Sequence, residues 1–216
     1  MKKKYKIELF LSFGFLAAFV AWTLLLGFID VRPIGPLGSS VGFATVNEFV
    51  HDLTGANMGL YVITDWLGLV PFAVAFGFAI LGLVQMIKRR SFIKVDSSIL
   101  VLGGFYIVVM AVYVLFEFVV INRRPILIEG ILEASYPSST TMLVMCVMPT
   151  ALMQLRARIK NAALKVCVSV AIVAFVAFMV IGRFLSGVHW FTDIVGGAIF
   201  SAGAVTVYGA GSYISK

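Results

Sequence analysis

The chain has 216 residues, of which 61% are hydrophobic and only 12% charged, with a formal net charge of +7. A soluble domain is nearer half apolar, with about a quarter of its residues charged, so too little polar side chain exists to cover a water-facing surface. A mean hydropathy of +1.05 fits an integral membrane protein, and the placement of the cations excludes a nucleic-acid footprint as their main purpose.

A bilayer core takes about 20 apolar residues per helix. In chain order such runs lie near 7–29, 66–87, 98–120, 138–154, 165–185 and 190–212. The first follows MKKKYKIELF and is read as an uncleaved span, since it exceeds a signal-peptide h-region and no A-x-A-like site closes it. An outer segment, 30–58, has helical, amphipathic character and holds His51, expected to be a surface or packing residue. Asp65 and Trp66 open the second span as interface residues. The fourth is short and begins on Ser138, Ser139, Thr140 and Thr141; its Met142, Met145 and Met148 are spaced for core packing. Cys146 and Cys167 fall inside spans and read as packing residues, not as a disulfide or metal site. The last span carries Gly196, Gly197, Gly203, Gly209 and Gly211, which suit close helix–helix approach in lipid. The expected fold is all-α and polytopic, with six transmembrane helices in one bundle forming a single domain over 1–216.

Cations set the topology. Lys2, Lys3, Lys4 and Lys6, then Lys88, Arg89, Arg90 and Lys94, then Arg156, Arg158, Lys160 and Lys165, and finally Lys216 all share one side if there are six crossings. Both termini are therefore expected in the cytoplasm. Arg32, Arg123, Arg124 and Arg183 are left for the outer face, against the positive-inside bias, and that calls for a functional reason.

Three stretches converge there: INRRPIL (121–127), YPSSTTM (136–142) and GRFLSGVHWFTD (182–193). Arg124 and Arg183 offer planar forks of donors matched to phosphate oxygens. Pro137 with Ser138 and Ser139 reads as a helix start, whose free N–H groups and hydroxyls suit an anion. His189 and Asp193, four apart, share a helix face, so the carboxylate could accept the imidazole's second N–H and leave the other nitrogen free to attack. Together these read as an oxyanion cradle with an activated histidine, a phosphoryl-transfer site. Trp190 beside them reads as an interface anchor.

The set RP (124–125), PSS (137–139) and R-x5-H-x3-D (183, 189, 193) resembles the three-part signature of the phosphatidic acid phosphatase type 2 lipid phosphatases, which share a helical core with bacterial acid phosphatases and vanadium haloperoxidases. The resemblance implies His189 as a nucleophile that becomes phosphorylated and Asp193 as its orienting carboxylate. It implies Arg124, Arg183, Ser138, Ser139 and Thr140 as the phosphate cradle. No metal or cofactor is implied, the arginines supplying positive charge. Three positions depart from the signature: Thr140 stands for the usual histidine of the second motif, Glu117 for the usual lysine of the first, and Gly182 for a serine. Glu117 is either a displaced general acid, a cation ligand or an ion-pair partner of Arg123 or Arg124, the pairing being the simpler reading.

A threonine hydroxyl is too weak an acid to protonate a leaving alkoxide, and general acid help is typically worth about 10²–10⁴-fold. A phosphate leaving from a diphosphate needs no such help. The expected function is therefore a lipid phosphatase, biased toward diphosphates such as a polyprenyl diphosphate. It would act at the extracytoplasmic side of a bacterial cytoplasmic membrane, on membrane-embedded phosphorylated lipid and without nucleic acid. The alternative is a degenerate relative that binds phosphorylated headgroups without hydrolysis. A transporter gains little from the sequence, and a haloperoxidase is disfavoured because the known ones are not six-span bundles.

Overall fold

In the computed structural model, residues 2–214 are described, with side chains over 6–211. The helices are α1 (Lys2–Leu26), α2 (Ala44–Thr54), α3 (Met58–Leu67), α4 (Leu69–Arg89), α5 (Ser97–Phe118), α6 (Ser139–Arg158), α7 (Ala162–Leu185) and α8 (Phe191–Ile214). Among the described residues six helical stretches are long and apolar enough to cross a membrane, α3 and α4 counting as one. The protein is thus an all-α, multi-pass membrane protein. Lys216, one of the cations used for topology, lies outside the described residues.

The second span differs from expectation: it starts at Met58, not 66. Asn57 caps α3 by accepting the N–H of Leu60 at 3.0 Å. Asp65 interrupts the apolar run; its carboxylate is 56% exposed and faces the buried Arg183 at 3.5 Å, so the charge inside the run has a partner. The span breaks at Gly68, whose N–H reaches the carbonyls of Thr64 and Asp65 at 2.9 and 3.0 Å. Pro71 follows and has no N–H to offer the carbonyl of Leu67, so the helix restarts rather than running through.

Lipid tails are as apolar as leucine, so helices in a bilayer associate through packing and polar contacts. α6 and α8 are the inner helices, each about half buried, whereas α4 and α7 turn mostly outward. That position explains why α6 tolerates a polar first turn: its neighbours are α4, α5, α7 and α8 rather than lipid. α1 lies along α8. Phe19 meets Phe200 and Phe116 edge-on at 5.3 and 5.8 Å and stacks on Tyr136 at 6.3 Å, joining α1, α5 and α8 to the loop before α6. Met142, Cys146 and Met148 are buried as core residues, but Cys167 is exposed on the outward face of α7 and does not pack inside.

Two glycines of α8 do what close approach requires. A Cβ on Gly196 would stand 2.4 Å from the Tyr136 ring, and one on Gly203 would stand 3.0 Å from Leu16 of α1. At the other end of the bundle Asp96 accepts from Gln85 and Arg89, each at 2.8 Å, and ties the α4–α5 connection shut.

Candidate active site

Three segments meet at the end of the bundle where α5 stops and α6 and α8 begin. The α5–α6 connection doubles back as an antiparallel ribbon, with bridges Arg123–Ala134 and Ile128–Ile131. Glu129 and Gly130 both have positive φ at its tip, the geometry of a tight primed turn that glycine favours. The N–H of Arg124 donates to the carbonyl of Glu133 at 3.1 Å and that of Ser135 to Asn122 at 3.0 Å. Arg124 is thereby set opposite Glu133, and its Nε lies 2.8 Å from the Glu133 carboxylate.

α6 starts at Ser138, whose hydroxyl accepts from the Thr141 N–H at 3.5 Å and whose own N–H donates to the carbonyl of Asp193 at 3.0 Å. Ser138 is fully buried as a cap, while Ser139 and Thr140 line an open cavity. The α7–α8 turn carries His189. It passes Gly187 at φ +65, where a Cβ would collide with the Gly55 carbonyl at 1.8 Å, so only glycine allows the turn to tuck under the α2–α3 corner.

The hydrogen-bond partners of His189 select its tautomer. Nδ1 lies 3.1 Å from the Ser135 carbonyl, which can only accept. Nε2 lies 3.4 Å from Nη1 of Arg124, which can only donate. Nδ1 therefore carries the hydrogen and Nε2 presents its lone pair. Burial pushes the imidazole well below its ordinary titration range, and the charges of Arg124 and Arg183 push the same way, against a smaller opposing pull from the Ser135 carbonyl.

Asp193 does not hold the imidazole directly. Its Oδ2 is 3.8 Å from Nδ1, too long for a hydrogen bond, and instead accepts the Trp190 N–H at 3.0 Å. This is a third-position carboxylate reaching back to the residue before the helix, one half of a capping box. Oδ1 accepts from Asn122 Nδ2 at 3.1 Å. The carboxylate thus fixes where α8 begins, and through that the turn bearing His189. Trp190, expected at the lipid interface, is only 3% exposed. Its indole N–H donates to the Arg123 carbonyl at 2.7 Å and its ring meets His51 at 5.5 Å.

Arg183 points from α7 toward α3. Its Nη1 reaches Thr64 and Asp65 at 3.4 and 3.5 Å, its guanidinium lies 5.0 Å over the Tyr61 ring, and its buried Nε has no hydrogen-bond partner among the described residues. A cavity of 480 Å³ opens between these elements. It is lined by the arginines Arg123, Arg124 and Arg183, the carboxylates Asp65, Glu117 and Glu133, and the hydroxyl residues Ser139 and Thr140. A small recess beside it holds His189, and Tyr113, Glu117, Arg124 and Ser139 line both spaces. The structure thus gathers His189, Asp193, Arg124, Ser138 and Ser139 tightly, with Thr140 and Arg183 on the cavity wall. Arg124 has Glu133 as its carboxylate partner, not Glu117, which forms none of the described ion pairs.

Sequence reasoning missed Asn122, Ser135, Glu133, Asp65 and Asn47. Asn47 of α2 donates to Thr192 Oγ1 at 2.9 Å and accepts the Thr192 N–H at 3.2 Å, completing the cap of α8. Only the turn had a readable signal: Glu129-Gly130 flanked by isoleucines is a hairpin turn, but a plain two-residue hairpin would set 124 opposite 135, and the ladder shifts by two residues to bring Glu133 to Arg124.

The resemblance read from the three motifs is borne out over the second half of the chain, where residues 117–211 match the family model of the PAP2 superfamily. The fold is similar to that of a solved structure described as the first transmembrane PAP2 type phosphatidylglycerolphosphate phosphatase from Bacillus subtilis. The TM-score is 0.54 at 19% identity, over 94% of this chain and 95% of that chain. No curated protein sequence matches the chain.

Proposed function

We propose that the protein is a membrane phosphatase that removes phosphate from a phosphorylated lipid through a phosphohistidine intermediate, with a leaning to lipid diphosphates. The observation that carries this reading is the tautomer of His189: Nδ1–H is bound to the Ser135 carbonyl, and the Nε2 lone pair faces Nη1 of Arg124 at 3.4 Å. In the reaction Nε2 attacks phosphorus in line, with Arg124 and Arg183 neutralising the equatorial oxygens. The imidazolium that forms keeps its Nδ1–H on the Ser135 carbonyl and has the Asp193 carboxylate 3.8 Å away. Water then hydrolyses the phosphohistidine.

The leaning to diphosphates rests on Thr140, whose hydroxyl cannot protonate an alkoxide, whereas a departing phosphate needs little help. The phosphatidylglycerolphosphate named for the Bacillus subtilis protein is a natural comparison substrate. The placement of cations supports a site on the extracytoplasmic side of a bacterial cytoplasmic membrane, with both termini in the cytoplasm.

A second reading, a binder of phosphorylated headgroups without turnover, draws on one feature: Arg124 and Arg183 each already face a carboxylate. Phosphate release by detergent-purified protein decides between them, on a panel of a polyprenyl diphosphate, phosphatidylglycerophosphate and phosphatidic acid. Release that vanishes in His189→Ala supports the phosphatase. Saturable binding of the same lipids with no release supports the binder. Turnover of a monophosphate equal to or faster than that of the diphosphate near neutral pH refutes the leaning.

A further inference from the structure

Transfer of a phosphoryl group to His189 sends an electron pair to the departing oxygen, which needs a proton unless it leaves as a stable anion. Few side chains around the site can bring one. Asp65 and Glu133 face Arg183 and Arg124 at 3.5 and 2.8 Å and serve to aim them. Ser139 and Thr140 offer hydroxyls of negligible acidity, and a phenol such as that of Tyr113 is ordinarily about 6 pKa units weaker than a carboxylic acid. The N–H of His189 is held by Ser135 on the side away from the attacking nitrogen.

Glu117 remains. It stands in the last turn of α5, is free of the described ion pairs, and lines both the cavity and the recess that holds His189. It is also exposed, so it can recover a proton from water between turnovers. Building on His189 as nucleophile, we propose that Glu117 is the proton donor to the leaving oxygen and sets the range of phosphorylated lipids the site accepts.

The Nε2 lone pair forms the N–P bond while the P–O bond to the lipid breaks. The departing oxygen takes the proton of the Glu117 carboxyl and leaves as an alcohol. In the second half the Glu117 carboxylate takes a proton from the attacking water, an O–P bond forms, and the N–P bond breaks with its electron pair returning to Nε2. A carboxyl donates only when it carries its proton, so monophosphate lipids depend on Glu117 and turn over faster as pH falls. Diphosphates, whose leaving phosphate is a stable anion, depend on it little.

The test compares the full chain in detergent with Glu117→Gln and Glu117→Asp, on a polyprenyl monophosphate and the matching diphosphate, from about pH 5 to pH 8. Glu117→Gln should lower kcat/KM for the monophosphate about 10²-fold or more relative to the diphosphate and remove its rise toward acid pH. Glu117→Asp, which keeps a carboxyl, should restore part of that rise. Equal losses on both lipids, or an unchanged monophosphate rate, overturn the proposal while leaving His189-dependent diphosphate release intact. A parent that releases phosphate from neither lipid overturns the phosphatase reading and this proposal with it.

Discussion

Replacing Asn122 tests whether Asp193 is held from outside its own helix. Both residues are buried, at 1% and 0% exposure, and the Asn122 amide donates to the Asp193 carboxylate at 3.1 Å while its oxygen accepts the Gly42 N–H at 3.4 Å. A bond to a charged group is worth about 1.5–3 kcal/mol and a neutral one about 1 kcal/mol, so Asn122→Ala should cost about 2–4 kcal/mol where Asp193 is ionised and less where it is protonated. Asn122→Asp keeps the shape but sets two carboxylates at that distance, which at an effective dielectric of about 20 costs about 5 kcal/mol if both are ionised. The pair escapes by sharing one proton. The folded state then holds a proton that the unfolded chain releases above about pH 4, and stability is present at low pH and lost as pH rises through the folded-state value. Thermal unfolding in detergent from about pH 5 to pH 8 should show both variants below the parent at pH 8, with Asn122→Asp falling the more steeply as pH rises. A variant pair that both track the parent at pH 8 would remove Asn122 from the support of Asp193.

Three further outcomes are expected. Because burial and the two arginines hold His189 far below its ordinary range, kcat/KM should show no acid limb near pH 6.5. For the same reason stability should be full above about pH 6.5 and decline below it, where the unfolded histidine takes a proton that the folded one refuses; pH–rate and pH–melting profiles check both. Gly196→Ala brings a methyl within 2.4 Å of the Tyr136 ring, which is pinned through its hydroxyl to Thr23 at 2.7 Å. A loss of about 1–3 kcal/mol, with a fall in His189-dependent turnover, is expected from melting and phosphate release. Arg183→Lys loses the planar contact over Tyr61 and the forked donor, and should raise KM about tenfold with a smaller change in kcat.

The bundle was legible because lipid asks for one thing, long apolar runs, and five of the six lay close to where hydropathy put them. The second did not, since Asp65 and Trp66 read as its opening residues, whereas α3 carries the same span back to Met58 and the exposed Asp65 carboxylate finds its partner in Arg183, 118 positions away. The chemistry-bearing residues of the site were legible because charge is scarce in this chain, and Arg123, Arg124, Arg183, His189 and Asp193 fall in two stretches at span ends with the hydroxyl run 138–141 between them. Their supports were not. Asn47, Asn122 and Ser135 are common polar residues whose importance comes from partners 145, 71 and 54 positions away. The spacing of His189 and Asp193 suggested a direct bond, but the carboxylate is taken up by the Trp190 N–H and the Asn122 amide. Trp190 was misplaced for a similar reason: an aromatic at a span end usually faces headgroups, yet here the ribbon carbonyl of Arg123 covers it.

The pairing of α1 with α8 carries a consequence for biogenesis. During synthesis α1 enters the bilayer with its Leu16 face unmet, and must wait for every intervening span before Gly203 of α8 arrives to cover it. His189 sits at the α7–α8 junction, held by segments from the early, middle and late parts of the chain. A nascent or mis-inserted protein therefore lacks the assembled surroundings of His189 until α8 is in place.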